Sequence, residues 1–234
     1  FSVDKGTKNT EHFLYSRKTD LYMDLLQRNH QLLLKGINCT FLRYLHARIE
    51  WEDRLIGIFG SRGVGKTTLL LQHIKLKFED SREALYVNLD DFWFETHSLT
   101  DAVKEFLQAG GHYLFLDEIH FYSGWMEEVS TLLDANPALK IVFATTSLYS
   151  QTEVRNGLRH EAAFYVMHPM SFREFLSYES ILDKDPIPLE DILANHHDLV
   201  KEINAEMNIV PIYRNYLEHG CYPFYWQDPD MYYF

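Results

Sequence analysis

A glycine-rich run between an apolar segment and a helix-forming segment constrains this chain more than any other feature. Residues 60–67 have the pattern G-x-x-x-x-G-K-T, known as Walker A. In such a loop the backbone N–H groups point inward at phosphates, the lysine reaches the outer phosphates and the threonine hydroxyl can ligate Mg²⁺. The dipole of the following helix also attracts phosphate. The residues predicted to hold a nucleoside triphosphate are Gly60, Ser61, Arg62, Gly63, Val64, Gly65, Lys66, Thr67 and Thr68.

The segments on either side of this loop support that prediction. Residues 55–59 form a short apolar run typical of a strand buried on both faces of a parallel sheet. Residues 68–75 contain good helix formers and end with a basic residue. The alternative, a plain glycine turn between two elements, would leave Lys66 and Thr67 unexplained.

A second motif follows about fifty residues later, at 113–118. An apolar strand there ends in Asp117 and Glu118, the form of a Walker B motif. A carboxylate at the carboxyl edge of the sheet lies beside the phosphate loop, so we predict that Asp117 and Thr67 hold the metal. Glu118 is placed to orient the water that attacks the γ-phosphate. The alternative is that the acidic pair only caps the next helix.

The acidic pair also separates classes of nucleotide enzyme. Small-molecule kinases usually lack the second glutamate, and GTPases contain an Asn-Lys-x-Asp motif that is absent here. The sequence therefore favours ATP hydrolysis over GTP hydrolysis or phosphoryl transfer to a metabolite.

Two further predicted strands end in polar residues. Residues 140–145 lead to Thr146 and Ser147, whose hydroxyls we expect beside the γ-phosphate as a sensor; a hydroxyl-rich strand end or cap is the alternative. Residues 85–89 lead to Asp90 and Asp91. Asp90 could contact the water shell of the metal, but a cap or turn is the preferred interpretation.

Composition limits the remaining possibilities. A chain of 234 residues with 46% apolar content supports one α/β core and a modest extra module. It has no apolar stretch of ~20 residues and no evident signal peptide, and Cys39 and Cys221 lack metal-ligand spacing. These features favour a soluble cytoplasmic protein. Because the chain opens at Phe1, we expect a fragment of a longer protein.

Charge argues against strong nucleic-acid binding by this segment. The net charge is −12, so such a partner would need a local basic patch or regions outside this segment. The twelve histidines show no zinc spacing.

The order of predicted elements indicates a parallel sheet. Strands alternate with helices from residue 55 to residue 178, which requires crossover connections. The helices are predicted at 10–34, 40–49, 68–75, 98–108, 125–133, 171–178, 189–204 and 210–218, and the fifth strand at 163–167. Ser171 and Glu174 have capping-box spacing.

We predict an N-terminal helical segment (1–52), a core (53–180) and a helical lid or linker (181–234) leading to a further domain. The aromatic segments 221–226 and 231–234 either dock on the core or mark that junction.

Four segments together resemble a family of prokaryotic AAA-type P-loop ATPases. They are residues 54–69, 113–120, 169–175 and 220–223. The resemblance implies a three-layer α/β sandwich with a five-stranded parallel sheet, N-terminal helices and a C-terminal helical region. It implies ATP and Mg²⁺ as ligands, with Glu118 as the water-activating acid. Members of this family often carry winged-helix and nuclease-like domains after the ATPase, so a protein partner or appended domain is expected, and a homo-oligomer is compatible.

The chain departs from this family in one stretch. Relatives tend to show a Ser-Arg-Arg or Gly-Arg element before the fifth strand, whereas residues 158–161 read Leu-Arg-His-Glu. The resemblance makes Arg159 the candidate for contacting the γ-phosphate and Arg155 the second candidate; the alternative for each is a solvated surface residue. Since such an arginine contributes roughly 10³ to 10⁵ in rate, this departure affects hydrolysis more than binding. An ATP-gated switch with little hydrolysis is therefore one competing function. The other, by analogy with the domains that the family often carries after the ATPase, is the motor part of a DNA-processing or defence system.

Overall fold

Five parallel strands form the centre of the molecule. The computed structural model describes residues 5–78, 82–146, 151–182 and 184–226, with side chains in the first helix described from residue 21. The strands are β1 (Leu55–Phe59), β2 (Ala84–Asn88), β3 (Tyr113–Asp117), β4 (Lys140–Thr145) and β5 (Ala163–Val166). Their order in the sheet is β2-β3-β4-β1-β5, and every neighbouring pair is parallel.

The strand register places the functional strand ends together. Phe59 at the end of β1 lies opposite Thr145 at the end of β4, and Leu116 of β3 lies opposite Phe143 of β4. The residues that follow β1, β3 and β4 therefore meet at the carboxyl edge of the sheet.

Helices cover both faces of the sheet. They are α1 (Lys5–Gly36), α2 (Lys66–Lys77), α3 (Leu99–Gln108), α4 (Trp125–Ala135), α5 (Gln151–Gly157), α6 (Phe172–Tyr178), α7 (Leu189–Glu206) and α8 (Ile209–Asn215). One apolar core joins α1, α3 and α4 to one face, and a second joins α2 to the other. All five residues of β1 are buried, as expected for a strand covered on both sides. The predicted three-layer α/β sandwich is confirmed.

The helix predicted at residues 40–49 is wrong. The segment is irregular except for a short 3₁₀ turn at Tyr44–Ala47. Arg43 is extended, with φ −61° and ψ 139°, and its guanidinium is buried against Glu174 and two backbone carbonyls. These contacts with distant parts of the chain override the local helical pattern.

The C-terminal region is helical, with ends close to those predicted. Ser171 and Glu174 form the predicted capping box of α6. The backbone of α7 is non-helical at Asn195, and α7 contains no buried side chain. After α8 the chain forms a π-helical turn at Tyr216–Gly220 and a 3₁₀ turn at Pro223–Trp226. The aromatic residues 231–234 lie outside the described residues.

Candidate functional site

The loop between β1 and α2 has the backbone that its glycines allow. Gly63 and Gly65 have φ values of +83° and +100°, a region that side chains other than glycine rarely adopt. A Cβ atom on Gly60 would lie 2.5 Å from the carbonyl oxygen of Met167. Glycine is therefore required where the loop passes the end of β5.

Lys66, the first residue of α2, is folded back onto this loop. Its Nζ donates hydrogen bonds to the carbonyl oxygens of Gly60 at 2.8 Å and Ser61 at 3.1 Å. Burial lowers the pKa of Lys66, while the carboxylates of Glu118 and Asp117 oppose that shift. The lysine thus lies at the loop together with both acidic residues of the second motif.

Asp117 and Thr67 meet across the gap between β3 and α2. The Thr67 hydroxyl donates to Oδ2 of Asp117 at 2.5 Å, and Asp117 is only 1% exposed. The Tyr86 hydroxyl, from β2, donates to the same oxygen at 2.9 Å. Burial and the nearby Asp117 charge raise the pKa of Tyr86 well above its usual range, so it remains a hydrogen-bond donor. In the sequence Tyr86 is only a tyrosine within a mostly apolar strand, so its contact with Asp117 was not predicted.

The polar ends of β3 and β4 are joined by His120. Glu118 adopts a left-handed backbone conformation with φ 50° and ψ 38°, and its side chain makes no capping hydrogen bond. His120 places Nδ1 3.5 Å from Oε2 of Glu118 and Nε2 3.4 Å from Oγ1 of Thr146. His120 ends the family-like segment 113–120, but no role was predicted for it, because its partners lie on two strand ends. Ser147, the second predicted sensor residue, lies outside the described part of the chain.

A buried ion pair contacts the phosphate loop at the Val64 carbonyl. Arg43 Nε donates to Oε1 of Glu174 at 2.8 Å, and Nη1 donates to the carbonyl oxygen of Val64 at 2.7 Å. Both charged side chains are at most 7% exposed. Glu174 was predicted only as a capping residue, and the sequence contained no signal for its pairing with Arg43.

Three predicted candidates are not brought to the phosphate loop. Arg159 donates to Oδ2 of Asp134 at 2.9 Å, near the end of α4. The chain runs from the end of α4 into the start of β4. This pair therefore lies at the edge of the sheet opposite the phosphate loop. The Arg155 guanidinium lies over the ring of Phe164, 4.9 Å from its centroid. Asp90 is exposed and its backbone N–H donates to the side chain of Asn88, which agrees with the preferred turn interpretation.

A cavity of about 250 Å³ lies next to the loop. Val64, Gly65 and Thr68 form its wall on the loop side, and Phe41, Tyr178 and Pro223 are among the residues from other elements. Ser61 and Arg62 remain on the accessible side of the loop. The cavity thus adjoins the phosphate loop, and neither Asp117 nor Glu118 lines it.

The glycine-rich loop after β1, the aspartate that ends β3 and the strand order define a P-loop NTPase fold. A family model described as "AAA domain" matches residues 52–176, more than half of the chain, and the chain belongs to this family. No curated protein shows significant sequence similarity to the chain. Among the described residues, no helix is both long and apolar enough to cross a membrane.

Two solved structures are similar in part. They are AMPPCP-bound DnaA from Aquifex aeolicus, at 19% identity, TM-score 0.40 and 60% of this chain, and C. elegans PCH-2, at 14% identity, TM-score 0.33 and 74% of this chain. The alignment spans 50% of each of those chains, so this chain covers half the length of either protein.

Proposed function

We propose that the protein binds ATP with Mg²⁺ and hydrolyses it, coupling the nucleotide state to a partner protein or an appended domain. The observation that carries this proposal is the hydrogen bond between Thr67 and Asp117, formed next to Lys66 at the phosphate loop. This hydrogen bond joins the hydroxyl of the Walker A motif to the carboxylate of the Walker B motif, as a shared metal and phosphate site requires.

The oxygen atoms at this position suit Mg²⁺. Mg²⁺ prefers oxygen ligands and usually binds through one or two carboxylates together with substrate phosphates and waters. Thr67 and Asp117 would hold it, and the bound ion would neutralise negative charge on the β- and γ-phosphates. Tyr86 would keep Oδ2 of Asp117 fixed by its hydrogen bond.

The other residues have roles that follow from their positions. The backbone N–H groups of residues 60–68 would bind the phosphates, and Lys66 would exchange its carbonyl partners for phosphate oxygens. Glu118 would orient the attacking water, and Thr146 would contact the γ-phosphate. Each role is a proposal for this chain, supported by the distances among the side chains.

The cavity beside the loop supports a base-binding role. At about 250 Å³ it is smaller than the ~300–1,000 Å³ of a site that encloses a whole small ligand, so it suits one part of a nucleotide. Phe41 and Tyr178 provide aromatic surface for a base, while the phosphates would extend into the adjoining loop. The missing Asn-Lys-x-Asp motif makes adenine the expected base.

Phosphate release tests the proposal directly. We expect ATP turnover by the wild type and its loss in both Lys66→Ala and Glu118→Gln. Lys66→Ala should also weaken ATP binding, because a charge at the phosphates is lost, whereas Glu118→Gln should still bind ATP. Asp90→Asn is the matched control, since Asp90 is exposed and forms part of a turn; its turnover should equal that of the wild type. Equal turnover in Glu118→Gln would contradict the assigned role of Glu118.

An ATP-gated switch with little hydrolysis is the second candidate. The observation that favours it is the position of Arg159, which pairs with Asp134 at the opposite edge of the sheet. An arginine at the γ-phosphate would then come from elsewhere, such as a second copy in a homo-oligomer. ATP binding without phosphate release at any protein concentration would favour the switch.

The partner and the wider system are further proposals. In α7 no side chain is buried, and Leu189 and Leu193 are each about 70% exposed. These exposed leucines support contact between the region 181–226 and another protein or domain.

We propose residues 1–52 and 53–180 as the other two units of the chain. We also propose a cytoplasmic location, which two unpaired cysteines support. A role in DNA processing or defence would require DNA-stimulated turnover in the full-length protein.

A further inference from the structure

We infer that His120 is a positioning residue that holds the carboxylate of Glu118 and links it to the hydroxyl of Thr146. This inference rests on the proposed function, because it concerns the residue expected to orient the attacking water and the residue expected to contact the γ-phosphate. It assigns a role to a side chain outside the Walker A and Walker B motifs.

The short 3₁₀ turn after β3 brings the two side chains together. Glu118 begins this turn in the left-handed region, which is unfavourable for a residue other than glycine. The conformation is held by hydrogen bonds: the Glu118 N–H donates to Oδ1 of Asp117 at 2.9 Å, and the Phe121 N–H donates to the Glu118 carbonyl at 3.0 Å. The turn thus directs Glu118 and His120, two residues apart, toward the same strand end.

The imidazole lies between oxygen atoms of two strand ends. Its side chain is 6% exposed, whereas that of Glu118 is 24% exposed. Nδ1 lies 3.5 Å from Oε2 of Glu118 and 3.4 Å from Oγ1 of Thr145, and Nε2 lies 3.4 Å from Oγ1 of Thr146. A buried ring with oxygens at both nitrogens has its orientation fixed from two sides.

The hydrogen-bonding capacity of these groups selects one arrangement. An ionised carboxylate only accepts, so a proton on Nδ1 is the arrangement that favours its 3.5 Å approach to Glu118. In the neutral ring Nε2 is then an acceptor, and the Thr146 hydroxyl can donate to it. The Thr145 hydroxyl already donates to the carbonyl oxygen of Thr146 at 3.2 Å, which leaves its oxygen free to accept from Nδ1. In this tautomer the one N–H on Nδ1 is shared between Thr145 Oγ1 and Glu118 Oε2, while Nε2 accepts from Thr146.

This arrangement connects the phosphate loop to the catalytic acid. The Gly60 N–H donates to the carbonyl oxygen of Thr145 at 3.2 Å, so the end of β4 is bonded to the first residue of the loop. The linkage therefore runs from Gly60 through Thr145 and His120 to Glu118. A shift of Thr146 at the γ-phosphate position would move the imidazole of His120, and with it the carboxylate of Glu118.

Three substitutions separate positioning from simple structural support. His120→Ala removes both contacts, whereas His120→Asn keeps an N–H donor close to the position of Nδ1. We expect His120→Ala to lower kcat about 10–100-fold, the scale of a displacement of about 1 Å in a catalytic group, with the Kd for ATP within about threefold of the wild type. His120→Asn should recover most of the lost kcat. In Glu127→Gln, which alters an exposed carboxylate on α4, kcat should be unchanged.

A measurement without turnover tests the linkage independently. In protein labelled with ¹⁵N-histidine, the ring resonances missing from His120→Asn identify His120. We expect Glu118→Gln and Thr146→Val each to shift those resonances and Glu127→Gln to leave them unchanged. Unshifted resonances in both variants, or equal kcat in His120→Ala and the wild type, would overturn the inference. A wild type that releases no phosphate but shows both shifts would refute the proposed hydrolysis and leave the linkage supported.

Discussion

Single buried side chains determine how this protein responds to acid. His30 of α1 is 1% exposed, and its Nδ1 accepts a hydrogen bond from the backbone N–H of Tyr86 at 3.1 Å. Its Nε2 has no hydrogen-bond partner among the described residues. Burial lowers the pKa of His30 to about 4, so the neutral ring is required at neutral pH, with the proton on Nε2.

We predict that His30 makes the folded state less stable in acid. The pKa of His30 is about 4 in the folded protein and ~6.5 in the unfolded chain, so the unfolded chain binds the proton first. The stabilising contribution is complete above ~6.5 and is lost as the pH falls toward 4. His30→Gln keeps an acceptor for Tyr86 without titrating. The slope of unfolding free energy against pH should fall by up to about 1.4 kcal/mol per pH unit, measured by urea unfolding between pH 7 and 4.5.

An exposed histidine provides the control for this experiment. His197→Gln on α7 should leave the slope unchanged, because His197 is exposed. Some slope will remain in His30→Gln, since burial also lowers the pKa of His73 to about 3 and that of His46. If His30→Gln and the wild type lose stability equally as the pH falls, the buried ring of His30 is not the cause.

At the scale of elements, one ion pair fastens three segments that are far apart in sequence. Arg43 lies before β1, Val64 lies in the phosphate loop, and Glu174 lies in the first turn of α6. Glu174 Oε2 also accepts from the backbone N–H and the hydroxyl of Ser171, which completes the helix cap. The same carboxylate therefore starts α6 and holds Arg43 against the loop.

We predict that Arg43→Met destabilises the protein by about 3–5 kcal/mol, because it leaves the buried Glu174 carboxylate without its charged partner. Adding Glu174→Gln to Arg43→Met should cost less than the sum of the two single changes, as expected for residues in contact. ATP binding should also weaken, since the Val64 carbonyl loses a donor. Urea unfolding of the four proteins measures the coupling.

The exposed pair of Arg159 and Asp134 is the matched comparison for Arg43. Both side chains are more than half exposed, so we expect Arg159→Met to change the unfolding free energy little. Additivity of the Arg43 and Glu174 changes to within about 0.5 kcal/mol would show that the pair is not coupled.

The elements also show what a sequence reveals and what it leaves out. Strands β1 to β4 were predicted because a buried parallel strand is a short apolar run, and the α6 cap because its spacing is local. The edge strand β5 was also predicted, although none of its residues is buried. The helix at 40–49 was wrong because the partner of Arg43 lies 131 residues away. The motifs predicted Lys66, Thr67 and Asp117 as neighbours, while Tyr86, His120 and Arg43 owe their roles to strand register and packing.

At the scale of the whole molecule, the C-terminal region reaches back to the phosphate loop. The ring of Phe224 packs directly on Gly63, where an added Cβ would lie 2.5 Å from it, and Pro223 lines the cavity beside the loop. The Met170 N–H donates to the Cys221 carbonyl at 2.7 Å, which fixes this return of the chain to the start of α6. Residues 223 and 224 therefore share one surface with the phosphate loop.

We predict that Phe224→Ala raises the Kd of ATP about tenfold, equivalent to about 1.4 kcal/mol, because the ring packs on Gly63 and supports the loop that would bind the phosphates. The unfolding midpoint should change little, since Phe224 is only partly buried. Titration with a fluorescent ATP analogue and Mg²⁺ measures the affinity. Phe92→Ala removes an equal ring that is 83% exposed, so its affinity should equal that of the wild type. Tighter binding by Phe224→Ala would show instead that the ring obstructs the phosphate loop and must move before ATP enters.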